Sequence, residues 1–193
     1  MSLVMLGVAK KGDKGRPESD FYETPVVATE SLLLHENFSH HIWEPACGKG
    51  AISKVLIAHK YDVVSTDLYD HGYGLRVPID FLGENLEDSF RLNQDIITNP
   101  PFSLSGEFLE QALSLMVSGH VNKFAFLLRL NFLEGQKRAK IFKEFPPARV
   151  LVFSKRLPMM HRPGYNGKKS TSTVAYAWMV WECGTKTCEV KWI

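Results

Sequence analysis

Two patterns of apolar residues, one typical of strands and one typical of helices, alternate along the chain. Short runs rich in β-branched and aromatic residues predict buried strands, whereas apolar positions three or four apart predict amphipathic helices. The predicted strands lie at residues 42–44, 61–67, 95–98, 123–130, 149–153 and 173–181. The predicted helices lie at residues 26–34, 52–59, 106–118 and 138–145. This alternation predicts an α/β domain with a largely parallel sheet and helices on both faces.

The segment 95–102 ends a strand in an unusual way. Asn99 follows an apolar run and precedes two prolines and an aromatic residue, Phe102. Neither proline can donate to a sheet, so the strand must stop there. The Asn99 side-chain oxygen and the Pro100 carbonyl could accept both N–H groups of an amine on an aromatic ring, while Phe102 stacks on that ring. The alternative is a strand followed by a rigid turn with no chemical role.

A turn with glycines follows the first predicted strand and leads into a helix. Gly48 and Gly50 permit a close approach of a nucleotide-like ligand to the helix amino terminus. The third glycine of a dinucleotide fingerprint is missing, because Ser53 occupies its position. Asp67 ends the next strand about twenty residues later, where an acid can accept hydrogen bonds from ribose hydroxyls. Before this unit, Thr24 is expected to cap the first helix, with Pro25 at its first position.

Basic residues are concentrated near the carboxyl terminus. Residues 146–193 carry eight Lys/Arg and two Asp/Glu, a net charge of +6. Residues 1–145 carry 15 Lys/Arg and 19 Asp/Glu, a net charge of −4. This asymmetry indicates a face that binds a polyanion. The segment 154–172 contains no acid, and its basic side chains suit phosphate contacts. The candidates are Lys155, Arg156, His161, Arg162, Lys168 and Lys169. An ordinary solvated loop is the alternative.

Length and composition predict one globular domain at residues 20–193, after a flexible tail at residues 1–19. No apolar run is long enough for a membrane span, and no signal peptide is expected. The three cysteines form no Cys-x-x-Cys motif, which is typical of a reduced cytoplasmic compartment. Cys183, Cys188 and His161 match no common zinc spacing, so no metal is expected.

The order of these motifs resembles the amino-group DNA methyltransferases that use S-adenosylmethionine, above all short phage-type adenine-N6 enzymes. The likeness covers residues 20–182 and depends on the segments 44–50 and 99–102 together with Asp67. The resemblance implies a Rossmann-like methyltransferase fold, with a mostly parallel seven-stranded sheet and an antiparallel last strand. It also implies S-adenosylmethionine as cofactor, DNA as partner, and a target adenine flipped out of the duplex for methylation at N6.

The resemblance assigns roles to individual residues. The catalytic motif is Asn99, Pro100, Pro101 and Phe102. The cofactor residues are Phe21, Tyr22, Thr24, Pro25, Glu44, Pro45, Ala46, Cys47, Gly48, Gly50, Asp67, Asp80, Phe81 and Asn99. Among them, Asp80 and Phe81 would hold the adenine moiety of the cofactor. We expect no separate target-recognition domain of the size that many relatives have, which leaves the loop at residues 154–172, with that at residues 69–78 as a second candidate, to read the target sequence. The same motif occurs in enzymes that resemble this fold but methylate RNA adenine or protein glutamine. A non-catalytic nucleic-acid-binding module is a further alternative.

Overall fold

A computed structural model describes residues 23–83, 86, 94–158 and 174–193. The predicted tail at residues 1–19 lies outside the described residues, as do Phe21 and Tyr22. Most of the basic segment, including His161, Arg162, Lys168 and Lys169, is outside them as well. The predictions made for these positions therefore remain predictions.

Seven strands form one sheet in the order β2-β1-β3-β4-β6-β5-β7. The strands are β1 (His41–Glu44), β2 (Asp62–Ser65), β3 (Gln94–Thr98), β4 (Val121–Arg129), β5 (Arg149–Val152), β6 (Tyr176–Glu182) and β7 (Glu189–Trp192). The described helices are α1 (Val26–His35), α2 (Ala51–Ala58), α3 (Ser105–Val117) and α4 (Gln136–Glu144). The predicted α/β class and the seven-stranded, mostly parallel sheet are confirmed.

One strand of the sheet runs against the others. β6 is antiparallel to both β4 and β5, and every other neighbouring pair is parallel. The predicted antiparallel strand at residues 173–181 is therefore present as β6. It is not the last strand, because β7 follows it and pairs with β5. No apolar pattern predicts β7, since this edge strand has four residues and three of them are exposed.

Helices cover both faces of the sheet, and each face has its own core. β4 shows the division, since Phe124 and Phe126 pack with α3 while Ala125 and Leu127 pack with α1 and α2. All five residues of β3 are buried, because this strand lies near the middle of the sheet under both layers. Trp178 reaches from β6 to α1 and donates from Nε1 to the Ala28 carbonyl at 2.7 Å.

The carboxyl ends of β1, β2, β3 and β4 meet at one edge of the sheet, because these four neighbours are parallel. Open α/β sheets bind their ligands at this edge. The turn that precedes α2, the segment after β2, Asn99 and Arg129 all lie at these strand ends. The fold thus brings to one edge residues as far apart in the sequence as Gly48 and Arg129.

The opposite edge is closed by four charged side chains. Glu36, which follows α1, is 3% exposed and contacts Arg149 Nε and, at 3.5 Å, Lys123 Nζ. Both cations also contact Glu182 at the end of β6. Burial works against the charged form of Glu182, yet its hydrogen bonds with Arg149 and Lys123 hold its pKa below the ordinary value. These pairs fasten the end of α1 to β4, β5 and β6.

We expect Arg149→Met to destabilise the protein on the order of 3 kcal/mol, because Glu36 would keep only one of its two cationic partners while remaining buried. Chemical denaturation measures the change. The double variant Glu36→Gln/Arg149→Met should recover part of the loss, since no unpaired carboxylate is left. Arg76→Met, which changes an exposed arginine, is the control and should shift stability by less than about 0.5 kcal/mol. Equal stabilities for Arg149→Met and Arg76→Met would contradict this account.

Candidate active site

Asn99 stands at the end of the buried strand β3, and its side chain is fixed from the other side of the site. Its Nδ2 donates to Thr24 Oγ1 at 3.0 Å, and Thr24 is itself 5% exposed. Because one N–H of the amide is held by Thr24, the orientation of the whole carboxamide is set. The two prolines then end the strand, and the chain turns into a 3₁₀ helix at Phe102–Leu104 before α3 begins.

Thr24 does not cap the first helix, so that prediction is wrong. The helix begins at Val26 with Pro25 in the cap position, and no side chain caps its amino terminus. The reason is that Thr24 Oγ1 points to Asn99 instead. Pro25 still sets the extended backbone that leads into α1, with φ of −61° and ψ of 138°. Thr24, predicted to cap this helix, therefore contacts Asn99 instead, and a role for Thr24 and Pro25 in cofactor binding remains a prediction.

Phe102 lies between two side chains from the neighbouring strands. The Arg129 guanidinium carbon is 4.3 Å from the Phe102 ring centroid, and the Tyr176 ring centroid is 5.6 Å from it. Arg129 ends β4 and is opposite Tyr176 in the register with β6. The sequence analysis named neither residue, although Arg129 is a polar residue at the carboxyl end of a buried strand. That position was the available signal.

Glu44 holds the glycine turn from beneath. It is 2% exposed, and its Oε2 accepts from Ser53 N at 2.8 Å and from the Ser53 hydroxyl. Ser53 Oγ in turn lies 2.6 Å from Ser65 Oγ at the end of β2. Burial raises the pKa of Glu44 to about 8. Ser53, which stands where a dinucleotide fingerprint has its third glycine, thus connects Glu44 to α2. The Glu44 carboxyl group is hydrogen-bonded to Ser53 on the buried side of the turn.

Asp67 connects the glycine turn to the segment after β2. Its Oδ2 accepts from Gly48 N at 2.8 Å, and its Oδ1 accepts from Tyr69 N at 3.0 Å. His71 Nε2 lies 3.8 Å from Oδ1. The Asp67 side chain keeps 15% of its surface exposed, so a hydroxyl group could still reach it. A ribose contact at Asp67 remains a prediction.

Tyr73 occupies the space that the missing side chain of Gly50 leaves open. A Cβ at Gly50, where φ is +78°, would lie 2.3–2.5 Å from three carbons of the Tyr73 ring. Burial raises the pKa of the Tyr73 phenol, which also interacts with Ser65 and Ser53. Gly50 was predicted to admit a ligand. Among the described residues, its close neighbour is Tyr73, which lies in the segment after β2.

The remaining residues of the turn are mostly buried. Pro45 is buried, Ala46 packs against the core on the α3 side, and Cys47 is 4% exposed. Burial, with Glu44 and Asp67 nearby, raises the pKa of the Cys47 thiol to about 12, so it stays protonated. Cys47 N donates to the Thr66 carbonyl at 2.9 Å, which continues the β1–β2 pairing into the turn.

Asp80 and Phe81 differ in their environments. Phe81 is 2% exposed, and its ring centroid is 5.1 Å from that of Trp43 and 4.7 Å from that of Phe108. Its ring is thus part of the core beneath the edge. Asp80 is exposed, and its Oδ1 accepts from Leu82 N at 3.0 Å. A role for this pair in binding an adenine moiety remains a prediction.

The basic carboxyl-terminal region is only partly available for a polyanion. Lys155 and Arg156 are exposed after β5. Arg149 is engaged with Glu36 and Glu182, and Lys191 Nζ lies 3.1 Å from Glu189. Among the described residues, no three His, Cys, Asp or Glu side chains form a metal-binding group. No helix in the described part of the chain is long and apolar enough to cross a bilayer.

Glu44 should make the stability depend on pH. Its native pKa of about 8 lies above the ordinary value of 4.5, so the native state binds this proton more tightly than the unfolded state. Stability from this group is complete below about pH 4.5 and is lost as the pH rises through about 8. We expect the urea midpoint of the wild type to fall between pH 5 and 8.5, and the fall to be smaller in Glu44→Gln. Glu110→Gln, at an exposed position on α3, is the control and should follow the wild type. Parallel profiles for all three would show that Glu44 is not the cause.

The contact between Gly50 and Tyr73 predicts a coupling between two substitutions. Gly50→Ala should cost about 1–2 kcal/mol from its positive φ and a further 1–3 kcal/mol from the clash with Tyr73. In a Tyr73→Ala background only the first cost remains, so a double-mutant cycle of unfolding free energies should show at least about 1 kcal/mol of coupling. Gly106→Ala on α3 meets no atom within 4 Å and should be neutral or stabilising. Additive effects would exclude the contact.

The comparisons with known proteins bear on the fold. No protein-family model and no curated protein sequence matches the chain. The structure is similar to the 23S rRNA methyltransferase ErmE, with TM-score 0.53 and 14% identity over 81% of this chain and 66% of that one. It is also similar to a modification subunit assigned to a type I restriction enzyme from Vibrio vulnificus, with TM-score 0.54 and 15% identity over 93% and 46%. A third similar structure is that of a protein assigned as an RNA methyltransferase from Pyrococcus horikoshii. Its TM-score is 0.56, with 14% identity over 83% of this chain and 85% of that one. The chain thus spans two thirds or less of the first two proteins, and it has the Rossmann-like fold of methyltransferases.

Proposed function

We propose that this protein transfers a methyl group from S-adenosylmethionine to the N6 amino group of adenine in DNA. The observation that supports this most is the fixed carboxamide of Asn99, held by Thr24 at the edge where the glycine turn and Asp67 also lie. An exocyclic amine donates two hydrogens and is a weak nucleophile. Accepting both hydrogens, at Asn99 Oδ1 and the Pro100 carbonyl, localises its lone pair for attack.

The residues at this edge fit such a cofactor in their chemistry. Bound S-adenosylmethionine supplies a methyl group on a positively charged sulfur, which is ready for in-line displacement. Asp67 offers a partly exposed carboxylate to ribose hydroxyls, and Gly48, whose N–H donates to Asp67, has no side chain beside that carboxylate. Thr24 and Asn99 then orient the acceptor nitrogen, which loses one proton to water once it carries the methyl group, so no side chain has to act as a general base.

A nucleic acid as acceptor is supported by the chemistry of the edge and by the neighbours in structure. Arg129, Lys155 and Arg156 are cationic side chains at this edge, and Phe102 is a half-buried aromatic residue beside Arg129. One of the similar proteins is a restriction-enzyme modification subunit, and two are described as methylating RNA. Methylation of RNA adenine is therefore the second candidate, and protein glutamine is the third acceptor to test.

The identity of the methylated product tests the proposal. The full chain is incubated with labelled S-adenosylmethionine and, separately, with unmethylated DNA, RNA and a glutamine-containing peptide, and the digested products are analysed. We expect label in N6-methyladenine from DNA. Label confined to RNA or to the peptide would replace DNA by that acceptor. Binding of DNA without transfer to any acceptor would favour the non-catalytic binding module.

Variants of Asn99 and Thr24 test the mechanism. Asn99→Ala should lower kcat by at least about 100-fold while the protein still binds DNA, because the acceptor loses a hydrogen-bond partner and its alignment. Thr24→Val should lower kcat roughly tenfold, since Asn99 is no longer held, and Thr24→Ser should restore activity. Asn122→Ala, an exposed asparagine at the amino end of β4, is the control. Full activity in Asn99→Ala would exclude this role for the carboxamide.

A further inference from the structure

Arg129 is a cation at the rim of the candidate acceptor site that the proposed chemistry does not yet use. It is the last residue of β4, next to β3 in the sheet, so it shares an edge with Asn99. Its guanidinium carbon lies 4.3 Å from the Phe102 ring centroid, and Phe102 also contacts Tyr176. A planar guanidinium on an aromatic ring is a stable arrangement that leaves the edge N–H groups of the cation available.

The charge of Arg129 is not balanced within the described part of the chain. No described carboxylate forms a salt bridge with it, and its buried Nε has no hydrogen-bond acceptor. Leaving a buried donor of a charged group unmatched costs free energy. An arginine held this way, partly buried against a ring, indicates an anion that binds when the site is occupied.

Two other arginines, Arg138 and Arg149, have oxygen partners for their guanidinium groups among the described residues, unlike Arg129. Arg138 also lies over a ring, with its guanidinium carbon 4.6 Å from the centroid of Phe132, but its Nε donates to the Phe132 carbonyl at 2.7 Å. A second nitrogen of Arg138 donates to the Glu134 carbonyl. Arg149 pairs with Glu36 and Glu182. Of these three arginines, Arg129 is the one for which the described residues provide no oxygen partner, and it is the one at the candidate site.

We propose that Arg129 binds a phosphate of the nucleotide whose base enters the pocket formed by Asn99 and Pro100. Its guanidinium, seated on Phe102, donates hydrogen bonds to the phosphate oxygens, so base and backbone are held by adjacent residues. The inference rests on the proposed transfer to a nucleic acid and narrows the acceptor to one that carries a phosphodiester next to the methylated ring. A glutamine side chain in a protein has no such group and would leave Arg129 unmatched.

The salt dependence of binding tests this inference. The full chain and its variants are titrated with a single-stranded, adenine-containing oligonucleotide between 50 and 200 mM salt. Arg129→Gln should weaken binding about tenfold at the low-salt end and reduce the slope of log K against log salt by about 0.7, the value for one phosphate contact on a single strand. Arg129→Lys should retain most of the slope. Arg138→Gln is the matched control, because it removes an equally stacked arginine whose donors are satisfied by carbonyls, and its slope should equal that of the wild type.

A kinetic measurement separates a substrate contact from a structural role. In Arg129→Gln, KM for the nucleic acid should rise about tenfold, while KM for S-adenosylmethionine and the thermal midpoint should change little. If Arg129 mainly supports Phe102, kcat and the thermal midpoint should fall in both Arg129→Gln and Arg129→Lys, with the salt slope unchanged. That second pattern would overturn the inference.

The failure of this inference can be told apart from the failure of the proposed function. If the wild type methylates DNA or RNA and the salt slope of Arg129→Gln equals that of the wild type, Arg129 is not a phosphate contact and the proposed function stands. If the wild type transfers no methyl group but binds the oligonucleotide, the slope still decides the role of Arg129. If the wild type binds no oligonucleotide under these conditions, the inference is wrong.

Discussion

The hydrogen bond from Asn99 to Thr24 joins residues that are 75 positions apart and closes the candidate site across the sheet edge. It can form because two elements are held in place. The buried strand β3 fixes the position of Asn99, and contacts of Trp178 and Glu36 hold α1 against the sheet. An amide whose orientation is fixed before a ligand arrives does not have to be ordered during the reaction. The alignment proposed for methyl transfer therefore depends on the packing of the whole domain.

The charged side chains at the two ends of the parallel strands differ in whether they are paired. At the amino edge of the parallel strands, Glu36 and Glu182 are matched by Lys123 and Arg149, so the buried charges stabilise one another. At the carboxyl edge, Arg129 has no matching carboxylate among the described residues. A cluster of paired charges is typical of a structural role, whereas a cation without a paired carboxylate is typical of a site that binds an anionic ligand.

The turn from Glu44 to Gly50 is shaped by residues beneath it and beside it. Glu44 and Ser53 hold it from below, Asp67 accepts from Gly48, and Tyr73 fills the space above Gly50. Several residues that would be assigned to ligand binding from motif order are thus also needed to build the turn itself. Substitutions here will affect stability as well as any binding, which is why the unfolding measurements and the activity measurements have to be made together.

The sequence by itself determined the order of strands and helices, the end of β3 at two prolines, and the glycine turn, because each depends on periodicity or on local backbone restrictions. It also placed Asp67 and Asn99 at the ends of predicted strands. Only the tertiary structure decided that Thr24 holds Asn99 instead of capping α1, that Tyr73 lies against Gly50, and that Arg129 stacks on Phe102. These contacts join residues that are 23–75 positions apart in the chain. Local propensity contains no information on such partners, since they are brought together by strand order and by the packing of helices on the sheet.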